Sequence, residues 1–265
     1  MTINGDTIID RYAVLPLGRY LDVLALDAGG DDYQVLVLAA IYGVTPDDIL
    51  DLPLTNYKAI AEASHFLAEP LPESDGRRLP QSYRLGSWTL VPTRRARDLT
   101  AAQYIDFQGF VKGGMQALPQ LLSCILVPEG CRYCDGYDPV AVQDAIRDCL
   151  PVADAEALSA FFFAEIHEIN RQYPGLFPPR PEGDDGAEEV QDGGDEGAAG
   201  DGGEDTGFTD RWGWVAHIDE VAEVTRQGWP AVYAMPVMEF LNIVCYCRDK
   251  AEFRRQEIDR WKRTH

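Results

Sequence analysis

The sequence predicts a mainly α-helical protein in three parts: a multi-helix N-terminal domain over residues 1–179 with one small β-hairpin, an acidic linker over 180–209, and a short helical module over 210–265. Three observations lead there. Apolar residues recur at three- and four-residue spacing through most of the chain, as the buried stripe of a helix requires. Only one stretch, "SYRLGSWTL", alternates as a strand pair does. The run "PEGDDGAEEVQDGGDEGAAGDGGEDTG", Pro181 to Gly207, holds eleven Asp and Glu, no Lys or Arg and a single Val. It has too little apolar area to offset the entropy of ordering its backbone, and its charge extends it.

The elements follow in order. In "LPLGRYLDVLAL" the residues Leu17, Leu21 and Leu24 share a helical face, and "DYQVLVLAAIYGV" is apolar nearly all round, as a central core helix is. "TPDDILDLP" opens a third helix with Thr45 as cap, Pro46 at the first position and Asp47 and Asp48 in the first turn, where the helix dipole favours acids. A fourth helix occupies "LTNYKAIAEASHFLAE". In the hairpin Tyr83 and Leu85 alternate, Gly86 and Ser87 make the turn, and Trp88 and Leu90 alternate on the return. Helical pattern resumes with Thr100 and Gln103 as a capping box and continues through "LPQLLSCILVPEG". Asp138 and Pro139 then open a helix with Val142, Ile146, Cys149 and Leu150 on one face. The domain closes with Leu158, Phe162, Ile166, Ile169 and Tyr173 in one stripe. Beyond the linker, "RWGWVAHIDEVAEV" and the segment opened by "MPVMEFLNIV" read as helices.

Composition narrows the function. With 265 residues, 46% of them hydrophobic, the chain has enough apolar mass for one good core in its first 179 residues. The linker accounts for about half of the formal net charge of −21, so the rest is moderately acidic. Nucleic acid is excluded as a partner, because Lys and Arg cluster only in the last turns. The start "MTINGDTIIDRY" lacks the basic and apolar regions of a signal peptide, and no segment approaches the roughly twenty apolar residues of a membrane span. The chain is expected in the cytosol.

Its six cysteines, Cys124, Cys131, Cys134, Cys149, Cys245 and Cys247, are there expected as free thiols. "CRYC" and "CYC" offer four thiolates, the number a structural zinc takes, and Cys131 with Cys134 form the weak alternative metal site. Against it, Cys245 and Cys247 lie two apart in a helical run and point to different sides. No metal or other cofactor is expected. The catalytic motifs also fail: "EIHEIN" has Arg171 four positions after His167, where a zinc-protease helix needs a second His. The spacing of "HIDE" sends His217 and Asp219 apart on a helix, "DAGGDD" lacks the Lys of a phosphate loop, and no Ser is framed as GxSxG. No catalytic residue is assigned and no enzyme is expected.

The succession "VLVLAAIYGVTPDDILDLPLTNY", "YRLGSWTLVP", "LTAAQYIDFQGF", "LPQLLSCILVPEGCRYCDGYD" and "LPVADAEALSAFFF", followed by "RWGWVAHIDEVAEV", resembles the long helical tail assembly chaperones of tailed bacteriophages. The resemblance covers most of the chain outside the linker and rests on the order of patterns, with no invariant motif. It implies a non-catalytic chaperone, with an N-terminal domain that binds its own kind or tail tube subunits and an extension that contacts the tape measure protein. Such a protein acts in the cytoplasm of the infected host and leaves before the virion is complete. The elaborate linker departs from the group, which leaves open an independent module. Two other functions stay open, a minor virion protein of the completion or connector type and a zinc-binding regulator.

Trp212, Trp214, Ile218, Val221, Trp229, Tyr233, Phe240 and Leu241 are many large apolar groups for so short an extension, which points to them as partner-binding anchors. Trp214, Ile218 and Val221 form one helical stripe, and Trp212 projects from another side. The alternative is that these helices fold back onto the first domain. The three-part organisation predicts that a Glu-specific protease cuts first between Pro181 and Thr209 and leaves a fragment ending near Pro179. Resistance of that stretch refutes it.

Overall fold

A computed structural model describes residues 2–3, 6–71, 79–177 and 212–264. The acidic run Pro181–Gly207 lies outside the described residues. The fold is mainly helical with a small antiparallel sheet, and it divides into two compact units, Met1–Pro92 with Met115–Phe162, and Thr93–Gly114 with Phe163–His265. This division corrects the boundaries read from the sequence. The C-terminal helices are not a separate module, because they share a unit with residues 93–114 and 163–177.

In the first unit, two-residue strands β1 (Thr2–Ile3) and β2 (Asp6–Thr7) pair antiparallel, and four helices follow: α1 (Leu17–Leu24), α2 (Tyr33–Tyr42), α3 (Pro46–Leu50) and α4 (Leu54–Ala63). The nearly all-apolar α2 is central: Val37, Leu38, Ala39, Ile41 and Tyr42 are buried among Ile9, Tyr12, Leu15, Ile49, Ile60 and Phe66. It ends at Gly43, whose φ of 60° is the left-handed conformation that closes a helix at least cost to glycine. The cap of α3 is as expected. Thr45 Oγ1 accepts from the Asp48 amide, and Asp48 Oδ2 accepts from the Thr45 amide at 2.9 Å. Leu17 and Leu21 are buried, but Leu24, at the end of a helix only eight residues long, is 49% exposed and Val23 takes the inner place.

The hairpin forms in the expected register, β3 (Tyr83–Leu85) against β4 (Trp88–Pro92), with Leu85 opposite Trp88 and Gly86 at φ 58° in the turn. A third strand corrects the sequence reading. After α5 (Ala101–Val111), helix α6 (Leu118–Ser123) stops early, and β5 (Leu126–Pro128) pairs antiparallel with β4. The Ser123 hydroxyl donates back to the Gln120 carbonyl at 2.6 Å, and Pro128, with no amide to donate, bars continuation of a helix. Then α7 (Pro139–Cys149) starts under the predicted Asp138 cap, with Val142, Ile146 and Leu150 buried. Cys149, expected on that face, is exposed.

Helix α8 (Val152–Gln172) carries its stripe as predicted, with Leu158, Phe162, Ile166 and Ile169 buried along it and Tyr173 just beyond. The division between units falls within it, at Phe162. The second unit adds α9 (Trp214–Thr225), α10 (Trp229–Tyr233) and α11 (Val237–Thr264). Two backbone bonds stitch the start of α11 to the start of α5: the Ala101 amide donates to the Met235 carbonyl at 2.8 Å, and the Val237 amide to the Leu99 carbonyl at 2.9 Å. Among the described residues no helix is long and apolar enough to cross a membrane.

Within the first unit the approach of α1 to α7 depends on Gly18. A β-carbon there would stand 2.6 Å from Arg147 Cγ and 2.9 Å from the Arg147 carbonyl oxygen, and the backbone atom cannot swing away. Gly18→Ala is therefore expected to lower stability by about 1–3 kcal/mol, read as a fall in the denaturant midpoint. An unchanged midpoint would show that the two helices are not packed this closely.

Candidate functional site

The residues expected as partner anchors are gathered in the second unit, and its core uses four of the eight. Gly213, at φ 48°, turns the chain into α9 and delivers Trp214 at the first helical position. The Trp214 ring stands edge-on to Tyr104 at 5.6 Å and lies 6.1 Å from Phe240, with His217 beside it at 5.5 Å. Tyr104 is wholly buried, and its hydroxyl donates to Asn170 Oδ1 at 2.8 Å. Burial pushes that phenol well above the usual tyrosine range, because the charged form would lose its hydration. Tyr173 makes a similar tie to α11, its hydroxyl donating to Asn242 Oδ1 at 3.0 Å.

This arrangement corrects the expected contact surface. Ile218, Val221, Phe240 and Leu241 are all at most 1% exposed, so they are core residues and no partner reaches them in the folded unit. Trp214 and Tyr233 are half-buried. Trp212 and Trp229 remain on the surface at 48% and 43% exposure. Trp229 is also held in place, its indole Nε1–H donating to Asp219 Oδ1 at 3.2 Å. Val215 lies four residues before Asp219 on the same face of α9 and is also exposed. Trp229 and Val215 thus stand beside Asp219 on one outer surface. Sequence reasoning missed a second group, Tyr246, Phe253, Ile258 and Trp261, exposed along the far half of α11. The seven- and eight-residue spacing of Tyr246, Phe253 and Trp261 carried the signal, but the dense charge around them masked it.

The groups weighed for chemistry have structural uses. His217 Nδ1 lies 3.5 Å from Glu220 Oε2, outside hydrogen-bonding geometry. Asp219, the other carboxylate of "HIDE", holds Trp229. On α8, Glu165 accepts from the Ala96 amide at 3.3 Å, and Glu168 pairs with Arg171 at 3.2 Å.

All six cysteines are free thiols. "CRYC" forms a tight turn in the first unit, closed by the Asp135 amide donating to the Arg132 carbonyl at 3.0 Å, with Cys134 at φ 54°. The Cys134 amide donates to the Tyr137 hydroxyl at 3.1 Å, and Cys124 Sγ lies 3.7 Å from the Tyr133 hydroxyl. Burial raises the Tyr137 phenol, with a lesser contribution from the nearby thiols. It also raises the Cys245 and Cys247 thiols on α11, which disfavours the thiolate a metal needs. Among the described residues no group of three or more His, Cys, Asp or Glu is placed to hold a metal ion.

Because Trp214 bridges Tyr104 and Phe240, Trp214→Ala is expected to destabilise the second unit by about 3–5 kcal/mol, the range for truncating a large packed aromatic. Thermal unfolding followed by near-ultraviolet circular dichroism reads this. A variant as stable as the parent would return Trp214 to the list of surface anchors. Family models, curated proteins and solved structures give no match to this chain.

Proposed function

We propose that this chain is a tailed-phage tail assembly chaperone, a non-catalytic protein that holds tape measure and tail tube proteins in the host cytoplasm until the tail assembles. The observation that carries the reading is Trp229, a large ring left nearly half exposed yet bonded to Asp219, with exposed Val215 one turn before Asp219 on α9. An indole held in one orientation has little entropy left to lose, and such aromatics are the commonest anchors at protein interfaces. A partner that is a long amphipathic helix presents the apolar ridge that this surface would accept.

Two further properties support the role. The formal net charge of −21 keeps a complex with an aggregation-prone helix in solution. The linker's acids account for about half of that charge. Binding of this kind needs no reacting group, and two of the nearby carboxylates are already engaged, Asp219 by Trp229 and Glu168 by Arg171.

The test is co-expression with a tape measure protein, capture on the tagged chain, and measurement of affinity for the captured helix. Trp229→Ala is expected to weaken binding by about 2 kcal/mol, roughly 30-fold, with the thermal midpoint unchanged. Wild-type affinity in that variant removes the surface from the reading. Recovery of the chain in purified virions instead favours a minor structural component, since a chaperone departs.

A further inference from the structure

Val244 is the last buried residue of α11, and from Ala251 to Thr264 every residue is exposed. Tyr246, Phe253 and Trp261 are 54%, 55% and 62% exposed, and with Lys250 and Glu257 between them they form one stripe. Lys250 Nζ lies over the Tyr246 ring at 5.5 Å. A stripe of aromatics on a helix this far from its own core marks a surface for another protein.

The sequence of the stripe indicates which one. When the helix is laid antiparallel on a copy of itself about a point between Phe253 and Arg254, Tyr246 comes opposite Trp261, and Lys250 opposite Glu257. Phe253 meets Arg254, a cation–π pairing. Between positions 246 and 261 no like charges meet. A parallel alignment in register would instead set Lys250 against Lys250 and Glu257 against Glu257. Two-fold symmetry makes every favourable pair occur twice, so the self-complementary charge order counts double.

We propose that the exposed half of α11 is an interface with a second copy of this chain, paired antiparallel about a two-fold axis between Phe253 and Arg254. The contact runs from Tyr246 to Trp261, about 24 Å of helix. Two such faces bury about 1,200 Å², the lower limit for a specific interface, and a weak dimer with a dissociation constant of about micromolar order is expected. Lys250 and Glu257 fix the register, and the aromatic rings contribute most of the affinity. The surface around Trp229 is not used, so the pairing stands apart from the proposed chaperone role.

Sedimentation equilibrium of the full chain tests this without any partner. The wild type is expected to pass from the 29.4 kDa monomer to twice that mass as its concentration rises. Lys250→Glu sets two acids face to face and is expected to weaken the dimer by at least about tenfold. Adding Glu257→Lys to that variant reverses both charges together and restores pairing, which a general loss of helix would not do. Far-ultraviolet circular dichroism checks that each variant stays helical. A wild type monomeric at about 100 µM, well above the expected constant, overturns the proposal and leaves the stripe to a foreign helix. A dimer indifferent to Lys250→Glu, or not restored by the double change, overturns it as well by placing the contact elsewhere.

Discussion

The second unit depends on one local constraint, the backbone stitch between Leu99–Ala101 and Met235–Val237. Its two hydrogen bonds contribute only about 1 kcal/mol each, because the same groups bond water when unfolded. What they position matters more. Phe240, Leu241 and Val244 follow the stitch into the interior, and burying each is worth about 1.5–3 kcal/mol. The hydrogen bonds set the direction of α11, and apolar burial supplies most of the stability.

The aromatic residues divide along the same line. Once the start of α11 is held against α5, Trp214 has Tyr104 and Phe240 as neighbours, so a ring that suits a partner surface is used inside the unit. Trp229 lies on the short α10 between α9 and α11, and its indole turns outward to Asp219. The candidate contact surface is therefore what the core leaves over. Its location follows from packing and could not be chosen by residue type alone.

Much of the fold was legible in the sequence because its signals are local. The Thr45–Asp48 and Thr100–Gln103 boxes, the Asp138 cap, the Gly86–Ser87 turn and the stripe of α8 each depend on residues within a few positions of one another. Strand β5 was not legible, since "ILVP" is too short for its period to distinguish strand from helix end, and pairing with β4 decides it. Leu24 and Cys149 failed for a related reason. Helical spacing names a face, but at a helix end the turn of the chain decides which side is covered.

By itself, then, the sequence determined the helical class, the helix starts, the hairpin and the acidic stretch, because capping, periodicity and charge act over a few residues. Only the tertiary structure decided that the helices after the linker belong with residues 93–114 and 163–177, and which aromatic rings stay outside. Both depend on contacts between segments far apart in the chain, Tyr173 with Asn242 at 69 positions and Ala101 with Met235 further still. Nothing in the spacing of "RWGWVAHIDEVAEV" encodes Tyr104, yet that distant ring half-buries Trp214 against it, while Trp229 meets solvent.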